Sequence, residues 1–528
     1  MSTAVGRHGD AVELIVFRVD ASAIIGTGHV MRCLTLAIAL RAQGRNVRFI
    51  CREHAGHLCN LIETRGFPVT RLPSSEAEWV RISADERYGS WLGTSWQADA
   101  EQTRGAIEAM GATPGWLIVD HYGIDARWER VLRPLIKRCL AIDDLADREH
   151  ACDVLLDQNL VAGMHTRYAG RVPEECALLL GPEYALLQPL YAELHERIPP
   201  RAGKIQRMLV FFGGADNANL TGRTITAFLA LNRADVALDV VIGSGLPREA
   251  EIRRQIEGHD NIRLHQQLPS LAHLMVQADL AIGAGGATSW ERLCLGLPAL
   301  VITLAENQRP NAEQLQRAGL VCWLGDEPAA DLKTLTRALS EALEQGVGEQ
   351  WSASCFAAVD GKGVRRVGAA LTVNSTTPLL ARFATPRDED LILGWANDPV
   401  TRRNGFSAEP IPAGTHRGWF RARLRELETS RFFILQTEDE VPVGQVRFDK
   451  LDAVWRINYA LAPQFRGRGC GRNLLDTALA KLHAEFPGAP VFGQVKEGNL
   501  PSHKVFAALG FQSRPGGADW VEYVLGVN

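Results

Sequence analysis

The stretch Gly26-Thr27-Gly28-His29-Val30-Met31-Arg32 sets an imidazole beside two glycines, directly after the apolar run Leu14-Ile15-Val16-Phe17. A strand, a glycine turn and a helix start put His29 at the carboxyl end of a strand, where open α/β sheets bind ligands. Gly26 and Gly28 permit positive φ and close approach of a ligand to the backbone. A helix amino terminus disfavours a nearby positive charge, which favours an imidazole acting as a base. The third glycine of a dinucleotide fingerprint would fall at Met31, so that cofactor is not indicated. A histidine that only closes the turn is the plainer alternative.

Three more glycine turns follow strand-like runs. Gly213-Gly214-Ala215-Asp216 and Gly283-Ala284-Gly285-Gly286-Ala287-Thr288 carry bare amides suited to phosphate oxygens. Glu291 follows the second turn by five residues, where a carboxylate can accept from both ribose hydroxyls of a nucleotide. Ordinary strand–helix turns would read the same way taken singly. The third turn, Arg466-Gly467-Arg468-Gly469-Cys470-Gly471-Arg472, combines three glycines with three arginines. That combination suits a pyrophosphate. Asp20 and Asp120 could orient the histidine or sugar hydroxyls, or cap helices. Asp143-Asp144 offers too few oxygens for a cation, and none of the ten cysteines forms a C-x-x-C pair. No metal is expected.

These residues need strand ends to hold them. Strands are expected at 14–17, 47–50, 116–119, 140–142 and 154–156, alternating with helices. Pro199-Pro200-Arg201-Ala202-Gly203 reads as a linker. A second series follows at 207–212, 238–242, 262–264, 280–282 and 299–303. Alternation of this kind implies mainly parallel sheets. Val373-Asn374-Ser375-Thr376-Thr377-Pro378 reads as a second linker, followed by consecutive strands at 432–436, 444–448 and 455–461. The expected domains are 11–198, 204–372 and 378–528. With 528 residues, one core would not suffice. A net charge of -4 gives no basic surplus for nucleic acid. No apolar run of membrane-spanning length and no secretory signal is seen, so a cytoplasmic protein without a membrane partner is expected.

Several of these motifs together resemble the UDP-sugar hydrolase family of pseudaminic acid biosynthesis. They are Arg18-x-Asp20, Gly26-x-Gly28-His29-x-x-Arg32-Cys33-Leu34, Val119-Asp120-His121-Tyr122-Gly123-Ile124-Asp125, Ile142-Asp143-Asp144-Leu145, Cys152-Asp153-x-Leu155-Leu156-Asp157-Gln158-Asn159, Gly213-Gly214-Ala215-Asp216 and Glu306-Asn307-Gln308. The resemblance covers about residues 12–370. It implies two Rossmann-like α/β domains of glycosyltransferase-B type, and removal of UDP from UDP-2,4-diacetamido-2,4,6-trideoxy-β-L-altropyranose with water as acceptor. It further implies His29 as general base, Tyr122 and Asn307 as cleft residues, and Glu291 as the holder of the uridine ribose. Asp20 joins the catalytic set. Gly26, Gly28, Arg32, Asp120 and Gln308 line the cleft. Gly213, Gly214, Gly285, Gly286, Ala287 and Thr288 hold UDP. UDP is a good leaving group, so one histidine could suffice without a second acid.

From 378 to 528, Arg466-x-x-Gly469-x-Gly471, then Asn499-x-x-Ser502, Phe506 and Gly510-Phe511 resemble the GNAT N-acetyltransferases. The resemblance implies an α+β domain that uses acetyl-coenzyme A. Its expected contacts are Leu461, Arg466, Gly467, Arg468, Gly469, Cys470, Gly471, Arg472, Asn499, Ser502 and Phe506. Many GNAT enzymes carry a thiolate-protonating tyrosine where Phe506 stands. Trp395-Ala396-Asn397-Asp398-Pro399-Val400-Thr401-Arg402 looks like the opening of the subgroup that acetylates the UDP-amino sugar one step before UDP removal. The expectation is thus a bifunctional enzyme acting on a UDP-amino sugar. The alternatives are a glycosyltransferase, or a hydrolase whose GNAT module only binds coenzyme A.

Overall fold

The computed structural model describes residues 13–74, 88–213, 216–243 and 248–526. The chain forms two compact units, Met1–Val367 and Gly368–Asn528.

The first unit holds two parallel sheets. One comprises β1 (Leu14–Val19), β2 (Asn46–Arg52), β3 (Val69–Leu72), β4 (Trp116–Asp120), β5 (Arg138–Ile142), β6 (Val154–Asp157) and β7 (Ala177–Leu180). Their order, β3-β2-β1-β4-β5-β6-β7, reverses direction of travel between β1 and β4. The crevice at such a switch point is where ligands bind. Its central strands are buried along their whole length, as strands covered on both faces by helices must be. The other sheet comprises β8 (Arg207–Phe211), β9 (Ala237–Ile242), β10 (Ile262–Gln266), β11 (Leu280–Ala284), β12 (Ala299–Thr303) and β13 (Cys322–Asp326), ordered β10-β9-β8-β11-β12-β13. The same reversal recurs between β8 and β11.

The expected linker at 199–203 is tied down. The Arg201 guanidinium donates to the carbonyl oxygens of Ala278, Leu295 and Met275, and its backbone N–H donates to Ser352 Oγ. An arginine fork is matched here to carbonyls left open at helix ends.

The second unit is a mostly antiparallel sheet of β14 (Leu380–Phe383), β15 (Ser430–Gln436), β16 (Pro442–Leu451), β17 (Val454–Leu461), β18 (Val491–Lys496), β19 (Gln512–Pro515) and β20 (Trp520–Leu525), ordered β14-β15-β16-β17-β18-β20-β19. β17 and β18 are parallel and pair only at Trp455↔Val491 and Arg456↔Phe492. Beyond those two rows they part, opening a gap in the middle of the sheet.

Candidate functional site

The carboxyl ends of β1, β4, β5 and β6 bring the first cluster together. His29 lies on the helix Gly28–Ala42 that leaves β1, and Asp120 ends β4, paired with Val19. Gly26 adopts φ +81° in the turn between strand and helix. His29 is 8% exposed and Asp120 1%. His29 Nδ1 stands 2.6 Å from Asp120 Oδ1. With Nδ1–H donating to that carboxylate, Nε2 carries the lone pair and can take a proton from water. Arg32, one turn along the helix, donates from Nε and Nη2 to both Asp120 oxygens at 2.7 Å. Burial alone would raise the Asp120 pKa, but the Arg32 charge and then His29 hold it well below the usual carboxylate range.

Arg32 Nη1 also donates to Asp144 at 2.8 Å, after β5, and the Tyr122 hydroxyl donates to the same carboxylate at 2.7 Å. Asn159, after β6, adds a third donor at 3.1 Å. The Tyr122 ring meets His29 edge-on at 4.7 Å between centroids, and Trp91 stacks on Tyr122 at 5.3 Å. The result is a fixed imidazole with an aromatic wall beside it. Trp91 sits in the turn Gly89–Leu92, whose residue types give no periodic signal.

Asp20 belongs to a different cluster. It accepts from Arg18 Nη1 and from the Arg52 backbone N–H, both at 2.7 Å, and faces His121 at 3.5 Å. Burial pushes the His121 imidazole down to about 4, so it is neutral near pH 7. Asp20 therefore braces the strand ends rather than His29.

The second sheet presents its own strand ends to this cluster. Asn307, in the turn Glu306–Gln308 after β12, donates to the Tyr122 hydroxyl at 3.4 Å. The Leu160 backbone N–H donates to Asn311 Oδ1 at 3.1 Å. Gln308 lies against the Gly285–Gly286 turn and accepts from the Leu304 N–H at 2.9 Å. The Gly285 amide is spent on Ile302 O at 3.1 Å, and further along the turn Ala287 is exposed and Thr288 half-buried. Gly213 adopts φ +92° after β8, whereas Gly214 lies outside the described residues. Glu291 lies near Tyr191, whose hydroxyl accepts from Ser270 Oγ at 3.4 Å. Burial pushes Glu291 up to about 7. Among the described residues, no group of three or more His, Cys, Asp or Glu side chains is arranged to hold a metal ion. No helix of the described residues is long and apolar enough to cross a membrane.

In the second unit, Gly467 and Gly469 take φ +69° and +75°, conformations that a side chain would oppose. Gly471 packs tightly, since a Cβ there would stand 3.0 Å from Val505 Cγ2 and that side chain would have to shift. Arg466 bonds Asp398 at 2.6 Å and Thr401 Oγ1 at 2.8 Å, and Arg468 reaches Val373 O at 3.4 Å. These two arginines anchor the loop, while Arg472 is exposed on the first turn of the helix Cys470–Glu485. Cys470 is buried. Leu461 ends β17 where the gap is open, and Asn499 caps the helix Leu500–Ala508 by accepting from the Ser502 N–H at 3.3 Å. Phe506 is 2% exposed and stacks on Tyr523 at 5.1 Å, so it is a core ring.

Comparison with known proteins divides the chain in the same way. Residues 379–512 match the acetyltransferase (GNAT) domain model, and residues 208–358 match the glycosyltransferase family 28 C-terminal domain. A UDP-2,4-diacetamido-2,4,6-trideoxy-beta-L-altropyranose hydrolase of Campylobacter jejuni is 26% identical over 58% of this chain and 97% of its own length. The spore coat polysaccharide biosynthesis protein SpsG of Bacillus subtilis is 30% identical over 36% of this chain and 57% of its own length. An uncharacterized protein of Methanocaldococcus jannaschii is 23% identical over 95% of this chain and 98% of its own. The architecture is thus two Rossmann-like domains followed by a GNAT domain.

Proposed function

We propose, from a chain that joins a homologue of a UDP-sugar hydrolase to a GNAT domain, two successive reactions on one sugar nucleotide. The second unit transfers an acetyl group from acetyl-coenzyme A to the amino group of a UDP-4-amino sugar. The first unit then hydrolyses the UDP-2,4-diacetamido-2,4,6-trideoxyhexose to free sugar and UDP, as in pseudaminic (nonulosonic) acid biosynthesis. His29 Nε2 takes a proton as water attacks the anomeric carbon, and the bond electrons leave with UDP. Asp120 holds the ring, and its charge favours the imidazolium that forms. Tyr122 and Asn307 face the sugar. Glu291 takes the ribose hydroxyls, and the Gly286–Thr288 turn and Gly213 take phosphate.

The observation that carries this reading is the His29–Asp120–Arg32 set at the strand ends beside Tyr122 and Asn307. The family 28 match favours one second reading, a glycosyltransferase in which a sugar hydroxyl replaces water. Incubation with UDP-4-amino sugars and acetyl-coenzyme A, followed by mass spectrometry, separates the two. The proposal expects an acetylated intermediate, then free diacetamido sugar without any acceptor. Product only with an added acceptor indicates the glycosyltransferase. Coenzyme A binding without acetyl transfer indicates a regulatory GNAT module.

A further inference from the structure

Acyl transfer from a thioester leaves a thiolate, and the phenylalanine at 506 carries no proton to give it. We propose that Tyr459, bridged to Ser502, protonates the departing thiol of the acyl donor, an assignment that rests on the acetyl-transfer reading above. Tyr459 lies on β17 three residues beyond Arg456, the last row paired with β18. Its hydroxyl is 2.8 Å from Ser502 Oγ, on the first turn of the helix that follows β18. The phenol therefore spans the gap where the two strands part, on the face that also carries Phe506, 6.1 Å away between ring centroids. The ring tip of Phe506 points at Gly493 and Ile457, near the closed end of the gap.

The chemistry balances. The amine attacks the thioester carbonyl, the C–S bond breaks, and its electron pair goes to sulfur. The Tyr459 O–H then gives its proton to sulfur, while Ser502 O–H donates to the phenolic oxygen. Solvent returns a proton to Tyr459 and accepts the one lost by the amine. Burial raises the Tyr459 pKa, so the hydroxyl is in its protonated form at neutral pH.

The test uses the full chain with acetyl-coenzyme A and the UDP-4-amino sugar that it acetylates. Tyr459→Phe is expected to lower kcat about 100-fold or more, the usual worth of a general acid, with KM for acetyl-coenzyme A and hydrolysis in the first unit unchanged. Ser502→Ala keeps the phenol and is expected to lower kcat about three- to tenfold, the scale of one neutral hydrogen bond, with its alkaline limb shifted. Tyr459→Phe retaining more than half of kcat would overturn the assignment. So would a loss matched by weaker acetyl-coenzyme A binding, or, if that variant does not fold, a Ser502→Ala protein with unchanged kcat and pH profile. Absence of acetyl transfer by the wild-type chain would overturn the underlying reading instead, and the assignment with it.

Discussion

Around His29, a charged network does the positioning. Asp120 and Asp144 share the guanidinium of Arg32, and the imidazole is fixed by one of those carboxylates. Around Tyr459, the partners are the Ser502 hydroxyl and the rings of Phe506 and, behind it, Tyr523. The first arrangement buries ions that are mutually dependent, so losing one leaves another uncompensated. The second is neutral, and its members can be exchanged one at a time without stranding a charge. On the proposed reading, hydrolysis would build a cation on His29, which the Asp120 carboxylate would stabilise. Thiolate release, as proposed, would need only a proton, which a neutral hydroxyl could supply.

The sharpest way to break this contrast is His29→Asn. Loss of a general base costs about 100- to 10,000-fold in hydrolysis, while UDP binding and acetyl transfer should persist. Retention of more than about a tenth of the hydrolytic rate removes His29 as the base. Asp120→Ala tests the dependence among ions. Breaking a buried pair costs about 3–5 kcal/mol, and because Asp144 still holds Arg32 the lower end is expected. Denaturant unfolding of the first unit should show that loss, and an unchanged midpoint would mean that the network is not coupled.

Glu291→Ala should weaken UDP binding about 10- to 150-fold by calorimetry, the scale of a charge-assisted hydrogen bond. The same carboxyl gives a pH signature. With its pKa pushed up to about 7 by burial, the ionised form that would accept from ribose hydroxyls is scarce below that pH. UDP affinity should therefore rise with pH, by up to about tenfold per unit below 7, and level off above it. Glu291→Gln should lose that component and keep only the titration of the phosphates themselves. The smallest effect expected is Gly469→Val, at about 5- to 30-fold in acetyl-coenzyme A affinity. A left-handed backbone costs a side chain about 1–2 kcal/mol, and the Cβ would stand 3.0 Å from Ser375 Cβ; a free loop that relaxes out of this conformation must recover that cost on binding. Equal effects on UDP binding would contradict the separateness of the two sites.

Glycine turns and strand ends were legible in the chain because both are local. The central strands of the two parallel sheets were also visible, since β1 opens on the apolar run Leu14–Phe17 and β12 is apolar up to Thr303. The edges were not. β3 (VTRL) is four residues with an exposed arginine, β13 contains Gly325, and β19 (QSRP) is exposed throughout. None has the alternation that marks a half-buried strand. Within the cleft, spacing suggested Asp20 and Asp120 equally as partners for His29. Only the adjacency of β1 and β4 selects Asp120, and that is a property of strand order. Tyr459 and Ser502 are 43 residues apart, and nothing local to either announces the other.

The parting of β17 and β18 gives this sheet a rim in its own interior. Rims of unpaired backbone groups usually lie at the outer strands, where proteins blunt them against sticking to other chains. Here the rim lies between two neighbouring strands of one sheet. A ligand lodged between the strands would cover it. The tolerance of this unit to heat and proteases should then grow with the logarithm of donor concentration, so that the supply of activated acetyl groups in the cell would influence how much of the protein survives as well as how fast it works.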